Sequence, residues 1–336
     1  MSWVPARVIR RLVIDPVWIP LAACISLLLA AIVVVCAVFA PFTRRRRLLR
    51  AACLGCVYLY LDVGLMLGGL MLWLRYPHHA RDDHAWRTRH SQLLGSALTR
   101  LMSAAATLIG YRVELVGCDR DADSSRALVV LARHAGPGDS LTLVHLLLTS
   151  YDRIPRVVVK RALQWDPGLD VVLTRLKCYF LPSSSGAGED RAAAVSEIVA
   201  HLGPGDALLL FPEGGNWTPR RHRRAVVRLR RAGRREQARV ASTRTHVLPP
   251  RSGGTIAALV VRADTDVLVV AHAGLDTLIN PQQIWSALPL RERPMRISAR
   301  LHPADTVPRG EQAIAAWLDQ QWAAVDRWIT TQPSHD

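Results

Sequence analysis

Two long apolar segments near the amino terminus constrain the fold of this 336-residue chain more than any other feature. Residues 17–40 carry no charged side chain, and residues 51–74 carry only Asp62. At about 1.5 Å per residue, a helix over either segment is long enough to cross the apolar core of a bilayer. A pair of buried core helices is the alternative, and it fits the second segment, where Gly64, Gly68 and Gly69 accompany Asp62, better than the first. We predict two membrane-embedded helices, within an anchor that comprises residues 1–76.

The charges around these segments bear on how the pair sits in a membrane. The late start and length of the first segment, followed by a block of arginines, disfavour a cleaved signal peptide. Arginines lie between the segments and at both outer ends, so the positive-inside rule gives no orientation. A pair that enters one leaflet, with its linker and both ends on the cytoplasmic side of the cell membrane, accommodates every arginine. A hairpin that crosses the whole bilayer is the alternative.

The net charge of +16 is concentrated in one stretch, because residues 219–246 contain eleven arginines and a single glutamate. Both nucleic acid and an anionic membrane surface attract such a stretch. The chain has no zinc-finger spacing and no aromatic residues interleaved with the arginines, which disfavours nucleic acid. The apolar segments favour an anionic membrane surface as the partner, although an exposed, solvated helix would show the same composition.

From residue 77 onward the pattern changes to alternating strands and helices. Short apolar runs at residues 127–132, 157–159, 178–181, 207–211 and 267–274 are separated by helical periodicity, for example over residues 85–109 and 190–202. This alternation predicts an α/β domain over residues 77–336, with a largely parallel sheet flanked by helices. A helical stripe of apolar residues near the carboxyl terminus is typical of core packing.

Several classes of chemistry find no support in the sequence. Four of the six cysteines lie in the apolar segments and the other two stand alone, so no disulfide framework is expected and the domain suits a reducing cytosol. No third ligand accompanies His134 and Asp139 at a spacing typical of a metal site. The absence of Gly-x-Ser-x-Gly argues against a serine hydrolase.

The first marked site is the stretch LVVLARHAGPGDSLTL, residues 128–143. An apolar strand ends just before His134, and a Gly-Pro-Gly turn leads to Asp139, which with Ser140 resembles a helix N-cap. Such a tight turn can place an imidazole beside a carboxylate, which is the geometry of an oriented general base. A solvated histidine and an ordinary capping aspartate would produce the same local sequence.

The second marked site is LLLFPEGGNWTP, residues 208–219. A buried strand ends at Phe211, Glu213 follows at the edge of the sheet, and Gly214 and Gly215 permit close approach of a ligand to the backbone. Because ligands bind at the carboxyl ends of parallel strands, we expect this loop and His134 to face one crevice. A plain turn is the alternative for the segment in isolation.

Taken together, His134, Asp139 and the segment Phe211-Pro212-Glu213-Gly214 resemble the motifs of the glycerolipid acyltransferase family, which includes 1-acylglycerol-3-phosphate acyltransferases. VVVKRALQWDPGL, residues 157–169, and HVLPPRSGG, residues 246–254, are similar to two further segments of that family, and the resemblance covers about residues 85–330. Lys160, Arg161 and Arg251 are candidates for phosphate contacts, and a solvated surface charge is the alternative for Arg161. One departure is clear: Gly215-Asn216 stands where Thr-Arg is usual in the family.

The resemblance implies transfer of a fatty acyl group to the free hydroxyl of a lysophospholipid, with 1-acyl-sn-glycerol 3-phosphate as the expected acceptor. The donor would be acyl-CoA or an acylated acyl carrier protein, and no other cofactor or metal is expected. His134 would act as general base, oriented by Asp139. Glu213 would bind a glycerol hydroxyl or hold its loop. The alternatives are another lipid alcohol as acceptor, or a non-catalytic protein that binds anionic lipid.

Overall fold

The computed structural model describes residues 4–39, 46–81, 84–119, 125–136, 138–181 and 188–333, and this part of the chain contains a seven-stranded sheet. Its strands are β1 (Val113–Cys118), β2 (Leu128–Ala132), β3 (Ile154–Lys160), β4 (Tyr179–Leu181), β5 (Asp206–Leu210), β6 (Asp266–Ala273) and β7 (Met295–His302). Their spatial order is β1-β7-β6-β2-β5-β3-β4. Neighbouring strands run parallel except for β6 and β7, which are antiparallel.

Helices precede the sheet, cover both its faces and follow it. They are α1 (Arg7–Ile9), which continues through a π-helical turn at Arg10–Ile14 into α2 (Asp15–Val38), then α3 (Arg47–Arg75), α4 (His84–Ile109), α5 (Asp139–Thr149), α6 (Pro167–Arg175), α7 (Gly188–Ala200), α8 (Pro219–Arg231), α9 (Arg235–Thr243), α10 (Ser252–Val261), α11 (Pro281–Ala287) and α12 (Glu311–Thr330). Short 3₁₀ turns lie at His78–Ala80 and Arg161–Trp165.

The central strands β2, β5 and β6 are buried along their whole length. Continuous apolar runs such as LVVLA suit this position, since a strand covered on both faces has no polar side to alternate with. One face of the sheet packs on α4, α5 and α6, and the other on α7, α10 and α12. The carboxyl-terminal stripe, with Leu318 and Trp322 at its centre, lies in the second of these cores, which confirms the prediction of core packing.

The two apolar helices differ in how much of their surface the protein covers. Both are long and apolar enough to cross a membrane. Of the 18 most apolar consecutive residues, 6% are buried inside the protein in Arg7–Val38 and 33% in Arg47–Arg75. The reason is that α3 packs along α4 and α6 while α2 packs mainly on α3. Asp62 joins these elements, because its carboxylate accepts hydrogen bonds from Trp18 Nε1 at 2.6 Å and from the backbone N–H of Gly168 at 2.8 Å.

The predicted fold class is confirmed: a largely parallel sheet flanked by helices follows two apolar amino-terminal helices. The sequence analysis did not predict β7, and the predicted strand at 157–159 is longer, beginning at Ile154. Asp139 is the first residue of α5, after Gly138, and not its N-cap. Ala40, the predicted end of the first apolar helix, and the following residues 41–45 lie outside the described residues.

Candidate active site

The loop after β2 brings His134 and Asp139 together. His134 Nδ1 and Asp139 Oδ2 are 2.7 Å apart, and Oδ2 also accepts the backbone N–H of Ala135 at 2.9 Å. Because a carboxylate only accepts hydrogen bonds, we assign the proton to Nδ1, which leaves the lone pair of Nε2 available. The His134 side chain is 24% exposed and its ring lies 4.5 Å from that of Phe211. The arrangement is that of an imidazole held as a general base at the surface of a crevice.

Asp139 is buried, and every hydrogen-bonding contact supports its ionised form. Its second oxygen accepts the backbone N–H and the hydroxyl of Ser140 in the first turn of α5, where the helix dipole also favours a negative charge. Burial acts to raise the pKa of Asp139, but the hydrogen bond and charge of His134 outweigh it and lower the pKa below its usual value. The carboxylate is therefore ionised near neutral pH and can stabilise an imidazolium.

Glu213 follows β5 and is 2% exposed. Its two oxygens accept the backbone N–H of His134 at 3.4 Å and that of Leu248 at 2.9 Å. Burial raises its pKa to about 7, against the opposing charge of Arg133 and these hydrogen bonds. Of the two roles expected for Glu213, these contacts favour holding the loop over binding a glycerol hydroxyl.

Two buried residues that the sequence analysis missed support the site. Arg133, 0% exposed, donates to the carbonyls of His246 and His272 and to Asp276. His272 Nε2 lies 3.0 Å from the carbonyl oxygen of Arg133 and 3.8 Å from Asp139 Oδ2. Burial, with the Arg133 charge adding to it, lowers the pKa of His272 to about 4, so the ring is neutral near pH 7. A charged residue ending an apolar strand was the only available signal for Arg133.

Two guanidinium groups flank the Gly214-Gly215 turn. Gly214 has φ of +69°, and a Cβ on it would lie 3.2 Å from three atoms of the Arg251 guanidinium. A Cβ on Gly215 would lie 2.7 Å from Arg221 Nη1, which donates to the carbonyl of Asn216. The glycines therefore allow Arg251, predicted from the sequence, and Arg221, which was not, to approach the turn.

Lys160 and Arg161 lie farther along the same edge of the sheet. Lys160 ends β3 and Arg161 follows it, and β3 is two strands from β2, so their backbone is roughly 10 Å from that of His134 at the usual strand spacing. Lys160 is exposed. Arg161 donates to the carbonyl of Val4 at 3.4 Å and lines a cavity of about 360 Å³ with Arg7 and Arg10. The structure thus separates these two residues from the group around His134.

Backbone N–H groups of the loops after β2 and β5 are candidate donors for an oxyanion, and two of them are already engaged in hydrogen bonds. Ala135 donates to Asp139, and Gly214 donates to the carbonyl of Phe211 at 3.0 Å. Gly136, Gly138 and Gly215 are the remaining candidates in the two predicted loops. Among the described residues, no group of three or more histidine, cysteine, aspartate or glutamate side chains could hold a metal ion.

Comparison with known proteins agrees with this geometry. Residues 113–272 match the family model described as Acyltransferase. No curated protein sequence matches the chain. The crystal structure of the 1-acyl-sn-glycerophosphate (LPA) acyltransferase, PlsC, from Thermotoga maritima is similar in fold, with a TM-score of 0.51 and 14% identity over 82% of this chain and 97% of that one. Residues 113–272 are therefore similar to the acyltransferase family, in agreement with the resemblance of the sequence motifs to glycerolipid acyltransferases.

Proposed function

We propose that the protein transfers a fatty acyl group from acyl-CoA to the free hydroxyl of 1-acyl-sn-glycerol 3-phosphate and so forms phosphatidic acid. The observation that carries the proposal is the hydrogen bond between His134 Nδ1 and Asp139 Oδ2, in a domain similar to the acyltransferase family. An acylated acyl carrier protein would serve as donor by the same chemistry, since its acyl group is also a thioester.

In this mechanism His134 Nε2 removes the proton of the acceptor hydroxyl as its oxygen attacks the thioester carbonyl. Asp139 keeps the proton on Nδ1 and stabilises the imidazolium that forms. The tetrahedral intermediate carries a negative oxygen, for which the N–H groups of Gly136, Gly138 and Gly215 are candidate donors. When the intermediate collapses, the C–S bond breaks and the departing thiolate takes the proton from His134.

Arg251 and Arg221 are the proposed contacts for the acceptor phosphate. Both guanidiniums lie at the Gly214-Gly215 turn, which Glu213 and the hydrogen bond from Trp217 N–H to the His134 carbonyl hold beside the base. We also infer that Lys160 and Arg161 bind a phosphate farther along the edge of the sheet. Their separation from His134 suits the donor or a longer acceptor better than the glycerol phosphate itself.

A second candidate acceptor is another lipid alcohol, such as a lysophospholipid with a larger headgroup or a glycolipid. Gly215-Asn216 stands where Thr-Arg is usual, so this turn lacks one side chain and carries the shorter, uncharged Asn216 in place of an arginine. A non-catalytic lipid-binding role is the remaining alternative. It gives no reason for an oriented imidazole at the open edge of the sheet.

The test is thiol release from oleoyl-CoA by the purified full-length protein in neutral detergent, with and without 1-acylglycerol 3-phosphate. We expect acceptor-dependent release, with phosphatidic acid detected by mass spectrometry, and a loss of about 100-fold or more in His134→Ala, as is typical when a general base is removed. The exposed His201, which bonds only within its own helix, provides the matched control His201→Ala, with unchanged activity.

Other acceptors and donors in the same assay separate the alternatives. Thiol release only with a different lysophospholipid or glycolipid would replace the acceptor and keep the mechanism. Release only from an acylated acyl carrier protein would replace the donor. If no lipid alcohol in the panel supports release, or if His134→Ala retains full activity, the enzymatic proposal is wrong.

A further inference from the structure

The arginine-rich stretch of residues 219–246 folds into two helices, α8 and α9, which pack on each other as a hairpin. We call residues 218–245 the basic hairpin. Val226, Ala238 and Ala241 form its small apolar core, and His222 Nε2 lies 2.9 Å from the carbonyl oxygen of Ala241. The hairpin is thus a folded projection with its own packing.

Both ends of the basic hairpin are attached to the active site. At its start, the backbone N–H of Trp217 donates to the carbonyl of His134, and the Thr218 side chain caps α8. At its end, Arg133 donates to the carbonyl of His246, and Leu248 donates to Glu213. The position of the hairpin is therefore fixed relative to the base His134.

A further ion pair fixes the base of the hairpin to the body of the domain. Arg244 is buried and donates to Asp319 of α12 at 2.7 Å, while Asp326 accepts the N–H of His246 at 2.8 Å. Arg244 is thus structural, and the other ten arginines of the stretch remain for the surface.

These ten arginines are all exposed, and the stretch contains one acidic side chain to offset them, Glu236, which pairs with Arg239. Val227 is exposed among them. The other exposed arginines of the hairpin form no ion pair of this kind with a described residue. A surface of this charge, at the edge of a domain that follows two apolar helices, is complementary to anionic lipid headgroups.

We propose that the basic hairpin is a docking surface for an anionic lipid bilayer. Because the residues that flank it on both sides bond to His134, Arg133 and Glu213, docking would turn the crevice toward the headgroups, a consequence that rests on the proposed function. The surface itself does not depend on that function. Nucleic acid is the competing occupant, and the location of the hairpin on a protein with two candidate membrane helices favours lipid.

The test is hydrogen–deuterium exchange of the full-length protein in nanodiscs of phosphatidylcholine alone or with a quarter phosphatidylglycerol. We expect slower amide exchange over residues 219–246 in the anionic nanodiscs, and loss of that difference at high salt. The variant Arg223→Gln/Arg224→Gln/Arg228→Gln/Arg231→Gln should also lose it, since each arginine at an anionic surface favours the docked state about fivefold. The matched control replaces four exposed arginines outside the hairpin, Arg89, Arg300, Arg309 and Arg327, and should keep the difference.

Equal exchange in both nanodiscs would overturn the proposal, as would equal loss in the control variant. Protection by duplex DNA in solution without protection by anionic nanodiscs would assign the surface to nucleic acid instead. Acyl transfer measured on the same samples keeps the two proposals apart. An active protein with no lipid-dependent protection disproves only the docking surface, whereas protection in an inactive protein disproves only the enzymatic proposal.

Discussion

At the scale of single residues, the site depends on buried polar groups that hold an exposed one. His134 is the partly exposed member, and Asp139, Arg133, Glu213 and His272 lie beneath it. Asp139 bonds to the backbone of its own loop and the other three bond to the backbone of distant segments, so removing one of these groups leaves unpaired groups in the interior and also moves a loop. The consequences for stability and for substrate binding can therefore be measured separately.

Glu213 should make the protein less stable as pH rises. Its pKa in the fold is about 7, raised from 4.5 by burial, so its contribution to the free energy of unfolding is fully present below pH 4.5 and is lost as pH rises through 7. The loss amounts to roughly 3 kcal/mol. Glu213→Gln cannot ionise, so the stability of the wild type relative to this variant should fall by that amount between pH 4.5 and pH 8.

Thermal or denaturant unfolding in neutral detergent at the two pH values measures this difference. The exposed Glu311 provides the control Glu311→Gln, for which no such change is expected. A difference between wild type and Glu213→Gln that stays constant with pH would contradict the assignment.

Arg251 should act on the acceptor phosphate and not on the chemistry. Arg251→Ala is expected to raise KM for 1-acylglycerol 3-phosphate about 10-fold, the usual effect of losing a charged hydrogen bond, with kcat little changed. Monoacylglycerol, which lacks the phosphate, is the control acceptor, and its KM should not change. An equal rise in KM for both acceptors would mean that Arg251 only supports the loop.

The sequence predicted the parts of the site that are local. His134 and Asp139 are five residues apart on one turn, and that spacing was sufficient to expect their contact. Arg133 and His272 are 139 residues apart, and their contact depends on β2 pairing with β6, which no local pattern specifies. The Glu213 loop was recognised from its Pro-Glu-Gly-Gly turn, but its partner Leu248 follows the basic hairpin and was not expected.

At the scale of elements, α3 and α6 meet at a glycine. A Cβ on Gly168 would lie 2.1 Å from Asp62 Oδ1 and 2.5 Å from the Asp62 carbonyl oxygen, and this carboxylate also holds Trp18 of α2. The contact is one of those that join the apolar helices to the sheet domain, and it lies at the start of α6. Strand β7 of the same domain was not predicted from the sequence. Its residues MRISARLH alternate between buried and less buried positions, but the arginines at the less buried positions concealed this pattern.

Gly168→Ala should therefore separate α6 from α3 and destabilise the protein by about 2–4 kcal/mol, the range for forced contacts and broken buried hydrogen bonds. Unfolding in neutral detergent measures the change. Gly64→Ala is the matched control, because a Cβ on Gly64 of α3 meets no atom within 4 Å. It should be neutral or slightly stabilising, as alanine favours a helix. If Gly168→Ala and Gly64→Ala were equally stable, the close contact between Gly168 and Asp62 would not be important for holding α6 on α3.

At the scale of the whole molecule, α3 lies along the sheet domain at both of its ends. Near its start, Arg47 donates to the carbonyl of Ser286 and Arg50 to that of Leu108. Near its end, the carbonyl of Gly69 accepts from Arg175. Because the start of α3 contacts the sheet domain, this end of the helix cannot lie on the far side of a bilayer while the domain stays on the near side. These contacts favour entry into one leaflet, and the cytoplasmic side stays a prediction for the domain.

A cysteine-free version of the protein can test this topology. Single cysteines at Thr43, between the apolar helices, and at Arg309, in the sheet domain, should react with a membrane-impermeant maleimide from the same side of sealed vesicles. That side should be the cytoplasmic one in inverted vesicles from cells. Labelling of the two positions from opposite sides would establish a hairpin that crosses the bilayer.

The attachment of the basic hairpin by its two ends has a consequence for redesign. The contacts that hold the catalytic loops are made by residues before 218 and after 245, apart from Arg244 at its base and Arg221 beside the Gly215 turn, so the exposed residues 223–243 can be shortened, recharged or exchanged as a cassette. Chimaeras made at these junctions should alter the preference for membrane composition while turnover on a soluble short-chain acceptor stays the same. Selectivity for a bilayer and reaction chemistry would then be independently adjustable properties of one chain.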